Sequence, residues 1–274
     1  MKVKRIIVKV GTSTLTNVDG KINLQCMEQL VRVLSDIQSK GHEVVLVTSA
    51  AITVGYSKMG LSTRPKDLPT IQAAAAVGQC ELVHMYDRLF NEYGRTAAQI
   101  LLDATDLENA ERKQNLSNTF NALLTRGIIP IVNENDSVSH TEIRSKNKLF
   151  GDNDTLSAIV ALLCNANLLI NLSDVDGLYA ADPKKDCNVH LIREVSEIDD
   201  RIIALAGGAG SVCGTGGMIT KIRAARLVTS HGIDMVITQG SRPKALYDIL
   251  NGAAIGTRFI GKPQAISQFE RRTQ

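Results

Sequence analysis

Apolar positions follow two periods along the chain: short, nearly continuous runs of five or six residues, and longer stretches spaced i, i+3, i+4, i+7. The first kind reads as buried strands and the second as helices with one apolar face. Strands are predicted over Arg5 to Val10, Glu43 to Thr48, Ala97 to Leu102, Ile128 to Val132, Asn167 to Leu172, Asp234 to Thr238 and Thr257 to Ile260. Between them, Met27, Leu30, Val31, Leu34 and Ile37 mark a helix that stops at Gly41. Further helices are predicted over Thr70 to Tyr93, Leu107 to Thr125, Thr155 to Cys164 and Met218 to Thr229, with a short one near Pro243 to Leu250. Gly94 and Gly127 punctuate two of these ends, as C-terminal glycines do. Strands separated by helices imply a mainly parallel sheet covered on both faces, because parallel neighbours need crossover connections. The expected fold is therefore α/β, a three-layer αβα sandwich, with one domain over residues 1–262 and a polar tail over 263–274.

Composition narrows this further. With 44% hydrophobic residues in 274, the chain has enough apolar material for one sizeable core. The net charge of +3 is too small to imply a nucleic-acid or anionic-membrane partner. The most apolar stretch, Ala158 to Leu172, is broken by Asn165, Asn167 and Asn171, well short of the roughly 20 apolar residues of a membrane span. Lys9 interrupts the apolar stretch near the start before a signal sequence could form. Five scattered cysteines without C-x-x-C spacing fit a reducing, cytoplasmic setting. The five histidines lack metal-ligand spacing, and no G-x-S-x-G nucleophile elbow is present.

In an open parallel sheet, ligands bind beyond the carboxyl ends of the strands, so polar clusters directly after strands are where chemistry is sought. Four such clusters exist. Lys9-Val10-Gly11-Thr12-Ser13 puts an ammonium group and a glycine turn at the end of the first strand, a place for a phosphate or merely a solvated charge. Thr48-Ser49-Ala50-Ala51 closes the second strand, where Ser49 is a candidate helix cap or a donor to a carboxylate. Asn133-Glu134-Asn135-Asp136 and Gly151-Asp152-Asn153-Asp154 flank one long loop, and such amides and carboxylates can hold an ammonium group or orient lysines. Finally, Gly214-Thr215-Gly216-Gly217-Met218-Ile219-Thr220-Lys221 is a glycine loop entering a helix, which offers N–H donors and a mobile cation to phosphates. Neither G-x-x-x-x-G-K-[ST] nor G-x-G-x-x-G occurs, which disfavours Walker-type and Rossmann nucleotide sites.

These four clusters, together with Ser173-Asp174 and Gly177-Leu178-Tyr179, resemble the motifs of the amino acid kinase family, in that family's order, from Lys4 to about Lys262. The paired strings NEND and GDND with GTGGM-x-TK resemble the branch of the family that acts on glutamate. That resemblance implies transfer of the γ-phosphoryl group of ATP, with Mg²⁺, to the side-chain carboxylate of L-glutamate, the entry step of proline synthesis. It further implies Lys9 and Lys221 flanking the phosphoryl group and Asp154 holding both ammonium groups. Glutamate would contact Ser49, Asp136 and Asn153, with Asn133 and Asp152 beside them. The nucleotide would contact Lys9, Gly11, Ser173, Asp174 and the loop Thr215, Gly216, Gly217, Met218, Ile219, Thr220 and Lys221. Proline inhibition and homo-oligomers are also implied. Three departures stand out: Ala50 where the family commonly has glycine, Ser173 for a usual threonine, and a long basic segment from Arg144 to Phe150. A carboxy-terminal PUA domain or fused reductase, present in some relatives, is not expected within this chain. A sensor that only binds nucleotide or amino acid is the alternative, against which the presence of both lysines and Asp154 argues.

Overall fold

A computed structural model describes residues 4–17, 19–138, 152–181, 189–207 and 217–262. Eight strands form one sheet: β1 (Arg5–Val10), β2 (Glu43–Val47), β3 (Ala97–Leu102), β4 (Ile129–Glu134), β5 (Leu168–Ser173), β6 (Glu194–Val195), β7 (Asp234–Gln239) and β8 (Thr257–Phe259). Their order is β3-β4-β2-β1-β5-β7-β8-β6. The six strands from β3 to β7 pair in parallel, and β8 turns antiparallel against β7. The short β6, absent from the sequence reading, pairs with β8.

Two apolar layers cover the sheet, as the αβα expectation requires. On one face Ile7, Val45, Val132, Leu169 and Ile237 meet the helices Ala110–Leu124, Asn153–Leu163 and Met218–Thr229. On the other, Ile6, Val8, Val44, Ile170 and Val236 meet the helices Leu24–Ser39 and Leu68–Glu92. Period-2 alternation sets this division, and it decides where the polar strand residues go: Lys9 follows Ile7, and Asn171 follows Leu169, onto the first face.

Several helices begin on an Asn or Asp whose side chain accepts a backbone N–H of the first turn. Asn23 accepts from Cys26, Asp67 from Thr70, Asn109 from Arg112 and Asp152 from Thr155. Asn109 also splits the predicted helix at Leu107 in two, Ala104–Glu108 and Ala110–Leu124. The helix Ala51–Lys58 follows β2 directly and crosses Leu68–Glu92 at a pair of glycines. A Cβ added to Gly55 would stand 1.7 Å from the Ala74 carbonyl oxygen, and one on Gly78 would stand 1.8 Å from that of Ala51. Only glycine permits that approach, and it fixes the end of β2 against the middle of the long helix. The predicted tail 263–274 and the basic segment 144–150 lie outside the described residues.

Candidate active site

The site forms where β1 and β5 end, beneath the first turns of the helices Asn153–Leu163 and Met218–Thr229. Lys9 reaches from β1 to Asp154 Oδ1 at 2.6 Å, and Lys221 reaches from the opposite helix to Asp154 Oδ2 at 3.1 Å. Two ammonium groups from opposite ends of the chain thus share one carboxylate. Asn171, the register partner of Lys9 on β5, donates its amide to the same Oδ1 at 2.8 Å. The Thr220 hydroxyl donates to Oδ2 at 2.7 Å. All five residues are buried.

The electrostatics follow from that arrangement. Burial alone raises the Asp154 carboxyl pKa, but the Lys9 and Lys221 charges and the hydrogen bonds from Lys9 and Thr220 outweigh it, so the group is held well below the usual carboxylate range. One firmly ionised carboxylate orients two cations and neutralises one charge of the two. The helix Met218–Thr229 begins at Gly217 without any side-chain cap, so its leading N–H groups add positive potential on the same side. Gly11 begins the turn after β1 with φ −85°, a conformation open to any residue. Its lack of a side chain leaves free space instead, since a Cβ there would lie 3.7 Å from the Lys9 ammonium nitrogen.

A second set of contacts joins the ends of β2 and β4 to this centre. Asn153 donates its amide to the Ser49 hydroxyl at 2.7 Å, the Thr48 carbonyl at 2.9 Å and Asn133 Oδ1 at 3.3 Å. Asn133 Oδ1 also accepts the Glu134 backbone N–H at 3.0 Å, while Asn133 Nδ2 donates to Gln79 Oε1 at 2.8 Å. Ser49 is therefore a hydrogen-bond acceptor for Asn153 and not the cap of the following helix. That capping position belongs to Ala50, which makes no side-chain cap and adopts φ 81°. The left-handed backbone, more than the size of a methyl group, gives the physical reason a glycine suits this position.

The remaining predicted residues divide. Asp152 caps its helix through Oδ1, 2.7 Å from the Thr155 nitrogen, and burial pushes its carboxyl up. Ser173 and Asp174 follow β5, with the Ser173 hydroxyl donating to Asp174 at 2.9 Å. Met218 and Ile219 occupy the first turn that carries Thr220 and Lys221. Asp136 lies in the turn after β4, on the wall of a cavity of about 570 Å³ between that turn and the helix Leu68–Glu92. Thr215 and Gly216, with Gly151 and Gly214, lie outside the described residues. Among the described residues, no group of three His, Cys, Asp or Glu side chains could hold a metal ion. Asp154 is no substitute, because both its oxygens face ammonium, hydroxyl and amide donors.

Two residues of the network, Asn171 and Gln79, carry no motif in the sequence. Asn171 reads there only as an interruption of an apolar run. Yet its parity with Leu169 already placed it on the face that Lys9 occupies. Gln79 shares the core-facing stripe of its helix with Ala75, Leu82 and Tyr86, all buried. A glutamine at such a position signals a buried polar task.

The sequence model described as "Amino acid kinase family" matches residues 4–239. The glutamate 5-kinase of Clostridium perfringens is 54% identical over 259 residues, covering 94% of this chain and 96% of that protein. That of Listeria welshimeri is 49% identical over 266 residues, covering 96% and 95%. Among solved structures, carbamate kinase from Giardia lamblia bound to AMP-PNP superimposes with TM-score 0.65 at 18% identity, covering 95% of this chain and 99% of that one. UMP kinase from Bacillus anthracis gives 0.63 at 13% identity, covering 94% and 96%. These structural likenesses concern the fold. No helix among the described residues is long and apolar enough to cross a membrane.

Proposed function

The chain belongs to the amino acid kinase family, and from that premise we propose that it transfers the γ-phosphoryl group of ATP to the side-chain carboxylate of L-glutamate. The product is L-glutamyl 5-phosphate, and the reaction opens the synthesis of proline from glutamate. The observation that carries this reading is the convergence of Lys9 and Lys221 on Asp154.

A glutamate γ-oxygen forms a bond to the γ-phosphorus as the bond from that phosphorus to the β–γ bridging oxygen breaks, and ADP leaves. The attacking carboxylate has an ordinary pKa of about 4.3 and is already ionised at neutral pH, so no general base is required. Negative charge spreads over the equatorial phosphoryl oxygens in the transition state, and fixed cations are what stabilise it. Lys9 and Lys221 are assigned that role, with Asp154, Asn171 and Thr220 holding them in place. Ser49, Asn133, Asp136, Asp152 and Asn153 are assigned to glutamate. Gly11, Ser173, Asp174 and the segment Thr215 to Lys221 are assigned to the nucleotide, with Lys9 shared.

Mg²⁺ is proposed to arrive on the phosphate oxygens of ATP, as a small hard cation that keeps oxygen ligands from substrate phosphates. Its chemistry is charge neutralisation on the phosphates, and none of the roles above depends on a protein-held metal. Proline inhibition, homo-oligomers and a cytoplasmic location belong to the same proposal. Titrating proline into the assay and measuring the mass in solution by sedimentation test the first two.

The direct test is incubation with ATP, Mg²⁺ and single amino acids in hydroxylamine, which traps acyl phosphates. Hydroxamate from glutamate is expected. ATP and glutamate binding without ADP release, or hydroxamate from another acid only, would overturn the reading.

A further inference from the structure

Gln79 ends a relay whose polarity is dictated by the backbone. The Glu134 N–H can only donate, so the atom of Asn133 it meets at 3.0 Å must be the amide oxygen. The Thr48 carbonyl can only accept, which requires the Asn153 amide nitrogen at 2.9 Å and agrees with that nitrogen facing Asn133 Oδ1. Asn133 therefore presents its NH₂ to Gln79, and the Gln79 atom 2.8 Å away must be the oxygen. The NH₂ of Gln79 is left over. It is buried and has no partner among the described residues.

A buried donor without an acceptor has lost its hydration with nothing in return, so its presence needs an explanation. Gln79 is only 8% exposed and forms part of the cavity wall that Glu134, Asn135 and Asp136 complete. The relay runs from that wall through Asn133 and Asn153 to Ser49, and Asn153 directly precedes the Asp154 that holds both lysines. An amino acid whose reacting carboxylate lies near Ser49 would extend its other end along this relay. That end carries an ammonium group, suited to carboxylates, and a carboxylate, suited to a donor.

We infer that Gln79 is a specificity-determining residue: its free NH₂ donates to the α-carboxylate of the amino-acid substrate, at the end of the relay Ser49–Asn153–Asn133–Gln79. The inference rests on the glutamate reading above. It adds to it the side chain that distinguishes a substrate with a second carboxylate from a monocarboxylate.

The test is Gln79→Glu in the full chain. The new carboxyl keeps an oxygen for Asn133 but replaces the donor with a negative charge. The glutamate KM should rise by about tenfold or more while the ATP KM and kcat stay within about threefold of the parent. The gap between variant and parent should narrow from pH 8 to pH 6, because a protonated carboxyl donates as the amide did. An unchanged glutamate KM, or an equal loss in all three constants, would overturn the inference and leave Gln79 as a support for Asn133. Should that variant not fold, as judged by its melting transition, Gln79→Met carries the test with the same selective rise in glutamate KM and the same contrary outcomes. A parent enzyme that yields no hydroxamate from glutamate would instead strike the underlying reading, whatever the variants do.

Discussion

Lys9 and Asn171 are register partners on neighbouring parallel strands, and both donate to the same oxygen of Asp154, at 2.6 and 2.8 Å. The sheet thus delivers one charged and one neutral donor to a single atom, while the helix Met218–Thr229 supplies Thr220 and Lys221 to the other oxygen. The carboxylate is fixed from both sides before any substrate arrives.

Asp154→Asn leaves Lys9 and Lys221 buried, close together and without a counter-charge. Breaking a buried ion pair in this way costs about 3 kcal/mol or more. Denaturant unfolding of parent and variant measures the loss, and kcat should fall by about a hundredfold or more as the two cations lose their common anchor.

The same carboxyl predicts an acid limb in stability. Its folded-state pKa is depressed below the ordinary 3.8, so its contribution is fully present above that value and is lost as pH falls below it, toward the folded value. Unfolding free energy measured from pH 5 downward should decline in the parent. The decline should be shallower in Asp154→Asn, which has no such proton to bind.

Ala50 holds φ 81°, a left-handed conformation that costs a residue with a Cβ about 1–2 kcal/mol. Glycine relieves that cost but adds freedom to the unfolded chain. Ala50→Gly should therefore raise stability by up to about 1 kcal/mol, read as a higher denaturation midpoint at unchanged slope.

Gly78 sits where two helices touch, with no room for a methyl group against the Ala51 carbonyl. Gly78→Ala should lower stability by about 3 kcal/mol or more, because backbone and not a flexible side chain must move. It should also weaken glutamate binding, since Gln79 and Ala51 shift with the crossing. Thermal melting and the glutamate KM together check this.

Much of the layered fold was legible from periodicity alone, since β1, β2, β4, β5 and β7 are apolar runs buried on both faces. The helices begin at Leu68 and Asn153, two residues before the expected starts at Thr70 and Thr155, because Asp67 and Asp152 cap them through side-chain bonds that periodicity does not record. The helix Ala51–Lys58 was not predicted. Its Ile52, Thr53, Val54 and Gly55 have poor helical propensity, and close packing on Ala74 compensates. The antiparallel turn of β8 was also hidden, because hydrophobicity records burial and not the neighbour. In the site, Lys9, Asp154 and Lys221 stood out by their motifs. Asn171 and Gln79 did not, because each sits singly within an apolar pattern and acquires meaning only from what faces it.

Lys9 and Lys221 are assigned to the phosphoryl group in transit. The most direct measurement is the turnover of Lys221→Ala with saturating ATP and glutamate. A fall in kcat of about a thousandfold, with the glutamate KM within about threefold of the parent, is the predicted result. A variant that turns over at the parent's rate would remove Lys221 from the reacting centre.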